Sequence, residues 1–201
     1  MGNFIQAGID SDDSVLNLGC CVMNDILDTF PDYPHTKLQC KLLVGVDYFK
    51  PYLDYLIEKI RGSNIHLVLA DLTKLPLPFP DKSFDVGSIL DVLEHLPSLE
   101  AAENLVKDVE RIVRKKIFIV IPKENPLVTY MPLNAEPVAP YESFGRINPL
   151  QRHRFCVNKM WIEEQGFVIK SDKFFAYPWT ISFRSRISIK KKHFFAVKEL
   201  L

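Results

Sequence analysis

No excess of charge marks this 201-residue chain: 25 lysines and arginines face 25 aspartates and glutamates. With no net field, nothing global draws the chain to nucleic acid or to an anionic lipid surface. It has no apolar run approaching the 18 or so residues that would cross a bilayer. It has no secretory pattern at the N-terminus either, because Asp10, Asp12 and Asp13 interrupt it before an apolar stretch forms. The four cysteines, at 20, 21, 40 and 156, lack zinc-ligand spacing, and neighbours such as Cys20 and Cys21 are poorly placed to bridge each other. Internal repeats and low-complexity segments are absent too. The expectation is a reduced, cytoplasmic, soluble chain. Its 47% apolar and 25% charged residues are an ordinary globular balance, and the length suits one domain with a well-buried core.

What is present reads as strands and helices in alternation. Ser14–Leu18 is a first strand, Val22–Phe30 a short helix, and Leu42–Val46 a continuous apolar run of the kind that strands buried on both faces show. A helix follows with Pro51 in its first turn; Tyr52, Leu53, Leu56, Ile57 and Ile60 form its apolar stripe, and Gly62 is its stop. Ile65–Leu69 is a third strand. The alternating prolines of Leu75-Pro76-Leu77-Pro78-Phe79-Pro80 remove ladder donors, so this stretch is a loop, expected over the sheet edge. Phe84–Leu90 is a fourth strand. Ser98 can cap a helix reaching about Arg114, with Ala102, Leu105, Val109 and Ile112 facing inward, and Ile117–Ile121 is a fifth strand. Strand-then-helix units in series predict a doubly wound, mostly parallel α/β sheet of the Rossmann-like type with right-handed crossovers. The proline-bearing stretch Lys123–Leu150 is long enough to be a lid or binding loop. Beyond it, Val157–Gln165 reads as a helix, and Phe167–Phe175 and His193–Leu200 as an antiparallel pair of late strands at the sheet edge.

The chain is organised around residues 14–47. An apolar run breaks into Gly19-Cys20-Cys21, and a second run, Leu42 to Val46, closes on Asp47. A glycine turn admits a ligand close to the backbone, and an acid at the end of the next strand accepts hydrogen bonds from ribose hydroxyls. Asp47 has a second reading as a helix cap. Asp71 and Asp91 also stand at strand ends, where open α/β sheets bind ligands. Asp91, Glu94 and His95 are the residues best suited to chemistry. Histidine as a residue type suits proton transfer near neutral pH, so His95 fits a general base, or else it is a structural histidine ahead of Pro97. Glu94 suits an orienting acid. His153, flanked by Arg152 and Arg154, fits either a substrate carboxylate or phosphate, or a solvated basic turn. Asp85 reads as support for the base of the fourth strand. The basic run Arg184, Arg186, Lys190, Lys191, Lys192 and His193 fits a charged edge that discourages sheet pairing better than an RNA surface.

Four motifs carry a resemblance to the class I S-adenosylmethionine-dependent methyltransferases, in the small single-domain branch called methyltransferase type 11. They are Val15-Leu16-Asn17-Leu18-Gly19-Cys20; Gly45-Val46-Asp47; Ala70-Asp71-Leu72 with Pro80-Asp81-Lys82-Ser83-Phe84-Asp85-Val86; and Asp91-Val92-Leu93-Glu94-His95-Leu96. Asn17 stands where the family usually has an acid, and Cys21 and Met23 where it has glycines. The resemblance implies S-adenosyl-L-methionine as cofactor and S-adenosyl-L-homocysteine as product. It implies cofactor binding by Asn17, Gly19, Cys20 and Cys21 at the methionine portion, by Asp47 and Tyr48 at the ribose, and by Asp71 and Leu72 at the adenine side. Asp91 would join them beside the reaction centre, where Asp91, Glu94 and His95 form the catalytic group, with Arg152 and His153 toward the substrate. The organisation implied is a cofactor core over 14–121, a lid over 122–150, and a C-terminal helix with edge strands over 151–201. The activity implied is methyl transfer to an oxygen or nitrogen of a small-molecule acceptor, by a monomer or homodimer needing no nucleic acid or membrane. A non-catalytic methyltransferase-like binding module is the alternative that Asn17, Cys21 and Met23 raise, and RNA methylation is the lesser one.

Overall fold

The computed structural model describes residues 8–21, 40–60, 64–123, 154–175 and 192–200. Among these residues seven strands make one sheet: β1 (Ser14–Leu18), β2 (Leu42–Asp47), β3 (Ile65–Leu69), β4 (Phe84–Leu90), β5 (Val113–Pro122), β6 (Val168–Phe175) and β7 (Lys192–Glu199). Their spatial order is β3-β2-β1-β4-β5-β7-β6. The first five run parallel, and β7 lies antiparallel to both β5 and β6. The expected doubly wound sheet is thus observed. The late strands do pair antiparallel, but β7 sits one place inside the edge and β6 takes the edge itself. The reason lies in composition: Phe195, Ala196 and Val197 are buried, as an interior strand requires, while Val168 on β6 is 58% exposed.

Period-two side chains divide the core into two layers. Leu16, Leu18, Val44, Val46, Ile89, Ile117 and Ile119 face one side of the sheet, with helix α2 (Leu99–Ile112) and Trp161 and Ile162 of helix α3 (Lys159–Glu164) packed on them. Val15, Leu43, Val86, Phe118 and Val120 face the other side, covered by Leu53 and Leu56 of helix α1 (Lys50–Lys59) and by Ile9. Ile57, expected in the buried stripe of α1, is 59% exposed. The helix is short, and Tyr52, Leu53, Leu56 and Ile60 already fill its inner face. Ser98 caps α2 as expected, its hydroxyl accepting from the Ala101 N–H at 3.1 Å. That helix ends at Ile112 rather than Arg114, because Val113 starts β5 directly and is fully buried. Asn158 caps α3 by accepting from the Trp161 N–H, which shortens that helix to six residues. Met23, Val22–Phe30, Gly62 and the basic run through Lys191 lie outside the described residues, as does the expected lid beyond Lys123.

Two polar clusters hold the frame at the ends remote from the strands' carboxyl termini. Asp85, one residue into β4, accepts from the Ser14 N–H at 2.9 Å and the Ser14 hydroxyl at 2.7 Å, and pairs with Arg114 at 3.0 Å. Burial alone would push its carboxyl up, but the Ser14 donors and Arg114 outweigh it and hold the group well below the usual carboxylate range. This is the supporting role expected of it. The proline-bearing loop, expected over the sheet edge, lies against α2 instead. Asp108 accepts from the Leu77 N–H at 2.7 Å, and the Arg111 guanidinium donates to the carbonyls of Leu77 and Phe79. Prolines at 76, 78 and 80 leave few N–H groups to satisfy, so two side chains suffice to anchor the turn.

Candidate functional site

The parallel strands end side by side. Gly19 follows β1, Asp47 ends β2, Ala70-Asp71 follow β3 and Asp91 follows β4. The order reverses between β1 and β4, which makes this edge the crevice where open α/β sheets take ligands. Backbone bonds fix the rim: the Cys20 N–H donates to the Val46 carbonyl, Ala70 N–H to Asp47, and Asp91 N–H to Val120, at 2.9, 3.0 and 2.9 Å.

Gly19 has φ of +65°, and a β-carbon there would lie 2.3 Å from Cγ2 of Val92. Only glycine satisfies both conditions. Cys21 adopts φ of +47° without being glycine. The turn therefore keeps a left-handed residue where the resembling family has glycine, and Asp47 Oδ2 accepts from its N–H at 2.8 Å. Oδ1 of Asp47 accepts from the Phe49 N–H at 2.8 Å, although the N-cap of α1 is Phe49 itself, so Asp47 is not that helix's cap. Burial raises the Asp47 carboxyl, and the N–H groups of Phe49, Cys21 and Tyr48 partly offset this. A carboxylate has about four acceptor sites, so with these three N–H donors Asp47 retains capacity for one ribose hydroxyl. That donor and acceptor balance fits an adenosine-bearing cofactor.

The other expected cofactor residues are placed as follows. Cys20 is a core side chain in the cluster with Val15, Leu43 and Cys40, its thiol donates to the Cys21 carbonyl at 3.9 Å, and burial with the nearby Asp47 charge pushes that thiol up. Asn17 is buried, and its Oδ1 accepts from the Ser88 hydroxyl at 3.0 Å, so a neutral amide is satisfied here by the neighbouring strand. Tyr48 is 52% exposed, and Leu72 is buried in the core. Asp71 Oδ1 accepts from both the N–H and hydroxyl of Thr73, an Asx turn that orients its carboxylate beyond β3. All four cysteines are free thiols.

The three candidate catalytic residues, Asp91, Glu94 and His95, lie together just beyond β4, joined by a histidine that the sequence did not single out. Asp91 has φ of +51°, a strained conformation for a non-glycine residue of the kind that concentrates at functional sites. Glu94 is buried in a short 3-10 turn, Leu93–His95, and its carbonyl accepts from the Arg154 N–H at 2.8 Å. Nε2 of His95 lies 3.9 Å from Glu94 Oε1, and the imidazole is 19% exposed. His193, read from sequence as one more member of a basic run, is buried on β7 with Nε2 3.3 Å from Asp91 Oδ1. Its signal was available: a polar residue heading the continuous apolar run Phe194-Phe195-Ala196-Val197. Arg152 and His153 lie outside the described residues. No three metal-ligating side chains cluster among the described residues, and none of their helices is long and apolar enough to cross a membrane. The arrangement can seat a nucleoside at Asp47 and Asp71 and bring hydrogen-bond acceptors to a neighbouring atom at Asp91.

Comparison with known proteins agrees with this geometry. A family model described as a methyltransferase domain matches residues 16–121. No curated protein matches the chain. The fold resembles the YcgJ protein of Bacillus subtilis (13% identity, TM-score 0.66), over 99% of this chain and 97% of that one. It also resembles an S-adenosylmethionine-dependent methyltransferase of Methanosarcina mazei (16% identity, TM-score 0.62; 98% and 97%). A third is the magnesium protoporphyrin IX methyltransferase of Synechocystis with bound S-adenosylhomocysteine (15% identity, TM-score 0.59; 98% and 79%).

Proposed function

The chain belongs to the methyltransferase family whose model it matches and uses S-adenosylmethionine as donor, and from that premise we propose that it methylates an oxygen or nitrogen atom of a small molecule. The observation that carries this reading is Asp91: a strained, partly exposed carboxylate placed where the strand order reverses, one strand away from the glycine turn.

The donor, when bound, supplies a methyl group already activated by its sulfonium. Transfer is then an in-line displacement in which proximity and alignment do most of the work. Asp47 accepts a ribose hydroxyl, Asp71 the adenine side, and the backbone of Gly19 to Cys21 the methionine portion. Val92, packed against Gly19, ties the turn to the segment that bears Asp91 and His95. Carboxylates and an imidazole suit an acceptor that carries a proton to lose, a hydroxyl or an amine, rather than a carboxylate acceptor that they would repel. The balanced overall charge supports a small acceptor over a polyanion.

Calorimetric titration with S-adenosylmethionine and S-adenosylhomocysteine tests the donor site, and micromolar affinity for either is expected. A panel of small hydroxyl and amino compounds, followed by release of S-adenosylhomocysteine, tests the acceptor class. Turnover confined to carboxylate or nucleic-acid acceptors would refute the small-molecule oxygen and nitrogen reading.

A further inference from the structure

We infer that His193 is a positioning residue for methyl transfer: from its buried place on β7 it holds the Asp91 carboxylate at the end of β4, where that carboxylate takes the proton of the acceptor. This rests on the methyltransferase reading above and adds to it a residue outside the matched region, 16–121.

The argument begins with burial. His193 is 3% exposed on an interior strand, opposite Pro122 of β5 and Phe174 of β6. An imidazole in such surroundings needs a polar partner, because burying it without one is costly. Asp91 Oδ1 lies 3.3 Å from Nε2 and is itself shut off from solvent, yet the Asp91 side chain as a whole remains 35% exposed. The pair thus has a buried half and an accessible half, and Asp91 is the accessible one.

Position supplies the second step. Because β7 runs antiparallel to β5, its first residues lie at the same sheet edge as the carboxyl ends of β1, β2 and β4. The contact spans β5, whose Val120 carbonyl also accepts from the Asp91 N–H. Backbone and side chain of Asp91 are therefore both tethered, which sustains its φ of +51°. A pair that only stabilised the sheet would need neither the strained backbone nor the exposed carboxylate. At 3.3 Å the two groups are within reach but not aligned as a hydrogen bond, as catalytic contacts commonly are before substrate binds.

In the reaction, the carbon–sulfur bond breaks with its electron pair left on sulfur, and the acceptor's lone pair forms the new bond to the methyl carbon. The acceptor's proton passes to the Asp91 carboxylate. His193, beside Oδ1, keeps that carboxylate aimed throughout.

The test uses the full chain with 15N-labelled histidine, the His193 signals being identified by their loss in His193→Gln. Titration with S-adenosylmethionine, a cation, and with S-adenosylhomocysteine, its neutral counterpart, should shift the His193 ring nitrogens differently, and Asp91→Asn should collapse that difference. If both ligands bind by calorimetry and the His193 signals do not distinguish them, the inference is overturned while the function stands. If neither ligand binds to the folded protein, the methyltransferase reading fails and the inference with it. Once an acceptor is in hand, His193→Leu should lower kcat about tenfold to a hundredfold with the donor's KM little changed, and His193→Gln, which can still donate to Asp91, should recover most of the loss. Equal rates in all three proteins would also overturn it. The ligand-induced shifts in the unmutated chain keep the question decidable if His193→Leu fails to fold.

Discussion

Gly19→Ala should destabilise the chain through two separable effects, and Val92→Ala can tell them apart. The first is conformational. At φ of +65° an alanine sits in the left-handed region, at a cost of about 1–2 kcal/mol. The second is steric: the new β-carbon would lie 2.3 Å from Val92 Cγ2, and forcing a methyl into a packed site typically costs about 1–3 kcal/mol. The total, roughly 2–5 kcal/mol, should lower Tm by roughly 4–20 °C in a domain of this size. Val92→Ala alone, truncating a buried side chain, should cost roughly 1–3 kcal/mol. In the double variant the collision disappears and the φ strain stays, so the two costs should fall short of their sum by about 1–3 kcal/mol. Denaturant unfolding of the four proteins measures this coupling. Strict additivity would refute the claim that Val92 lies over Gly19, and a loss below about 0.5 kcal/mol in Gly19→Ala would refute the left-handed turn itself.

Asp47→Ala leaves the N–H groups of Cys21 and Phe49 without their acceptor and removes the proposed ribose partner; donor affinity measured by calorimetry should fall by roughly 1–3 kcal/mol, and unchanged affinity would end the ribose assignment. Asp85→Asn should cost about 2 kcal/mol at pH 7, where the charge-assisted bonds from Ser14 and Arg114 are fully formed. Because the folded carboxyl is held below its unfolded value, its contribution is complete above about pH 4 and fades as pH falls further, so the gap between variant and parent in unfolding experiments should narrow in acid. A gap independent of pH would show that the charge is not what matters. His95→Ala should lower turnover and leave donor affinity unchanged; full activity would remove His95 from the reaction centre and leave proton removal to Asp91.

The frame was legible because its signals are local and redundant. Ser14–Leu18, Ile65–Leu69 and Phe84–Leu90 have the bounds their apolar runs predict, and Ser98 caps the helix it precedes. Boundaries set by tertiary partners were less so. β5 begins four residues before its apolar run, because Val113 completes the core against α2 and Phe84 pairs with it. The proline loop follows α2 because Asp108 and Arg111, some 30 residues away, supply its bonds. His193 was obscured for the same reason: beside three lysines it looks like surface charge, and only the insertion of β7 between β5 and β6 makes it a buried neighbour of Asp91.

The departures from the family's glycine motif then acquire a physical meaning. Losing glycine at a turn threatens ligand binding when the new β-carbon forces the backbone out of its left-handed conformation. Here Cys21 remains at φ of +47°, and the Asp47 carboxylate, aimed at its N–H, helps hold it there. The residue proposed to serve the ribose therefore also sustains the turn against which the rest of the donor would lie. Asn17 is handled alike: Ser88 on the adjacent strand donates to its carbonyl oxygen, so the position tolerates a neutral side chain without leaving a buried acceptor unmet. In both cases a hydrogen bond with a neighbouring strand, from the Cys21 N–H to Asp47 and from the Ser88 hydroxyl to Asn17, steadies the altered position. Cys21 thus holds a left-handed conformation and Asn17 a satisfied acceptor, which weakens the argument for a non-catalytic module at these two positions.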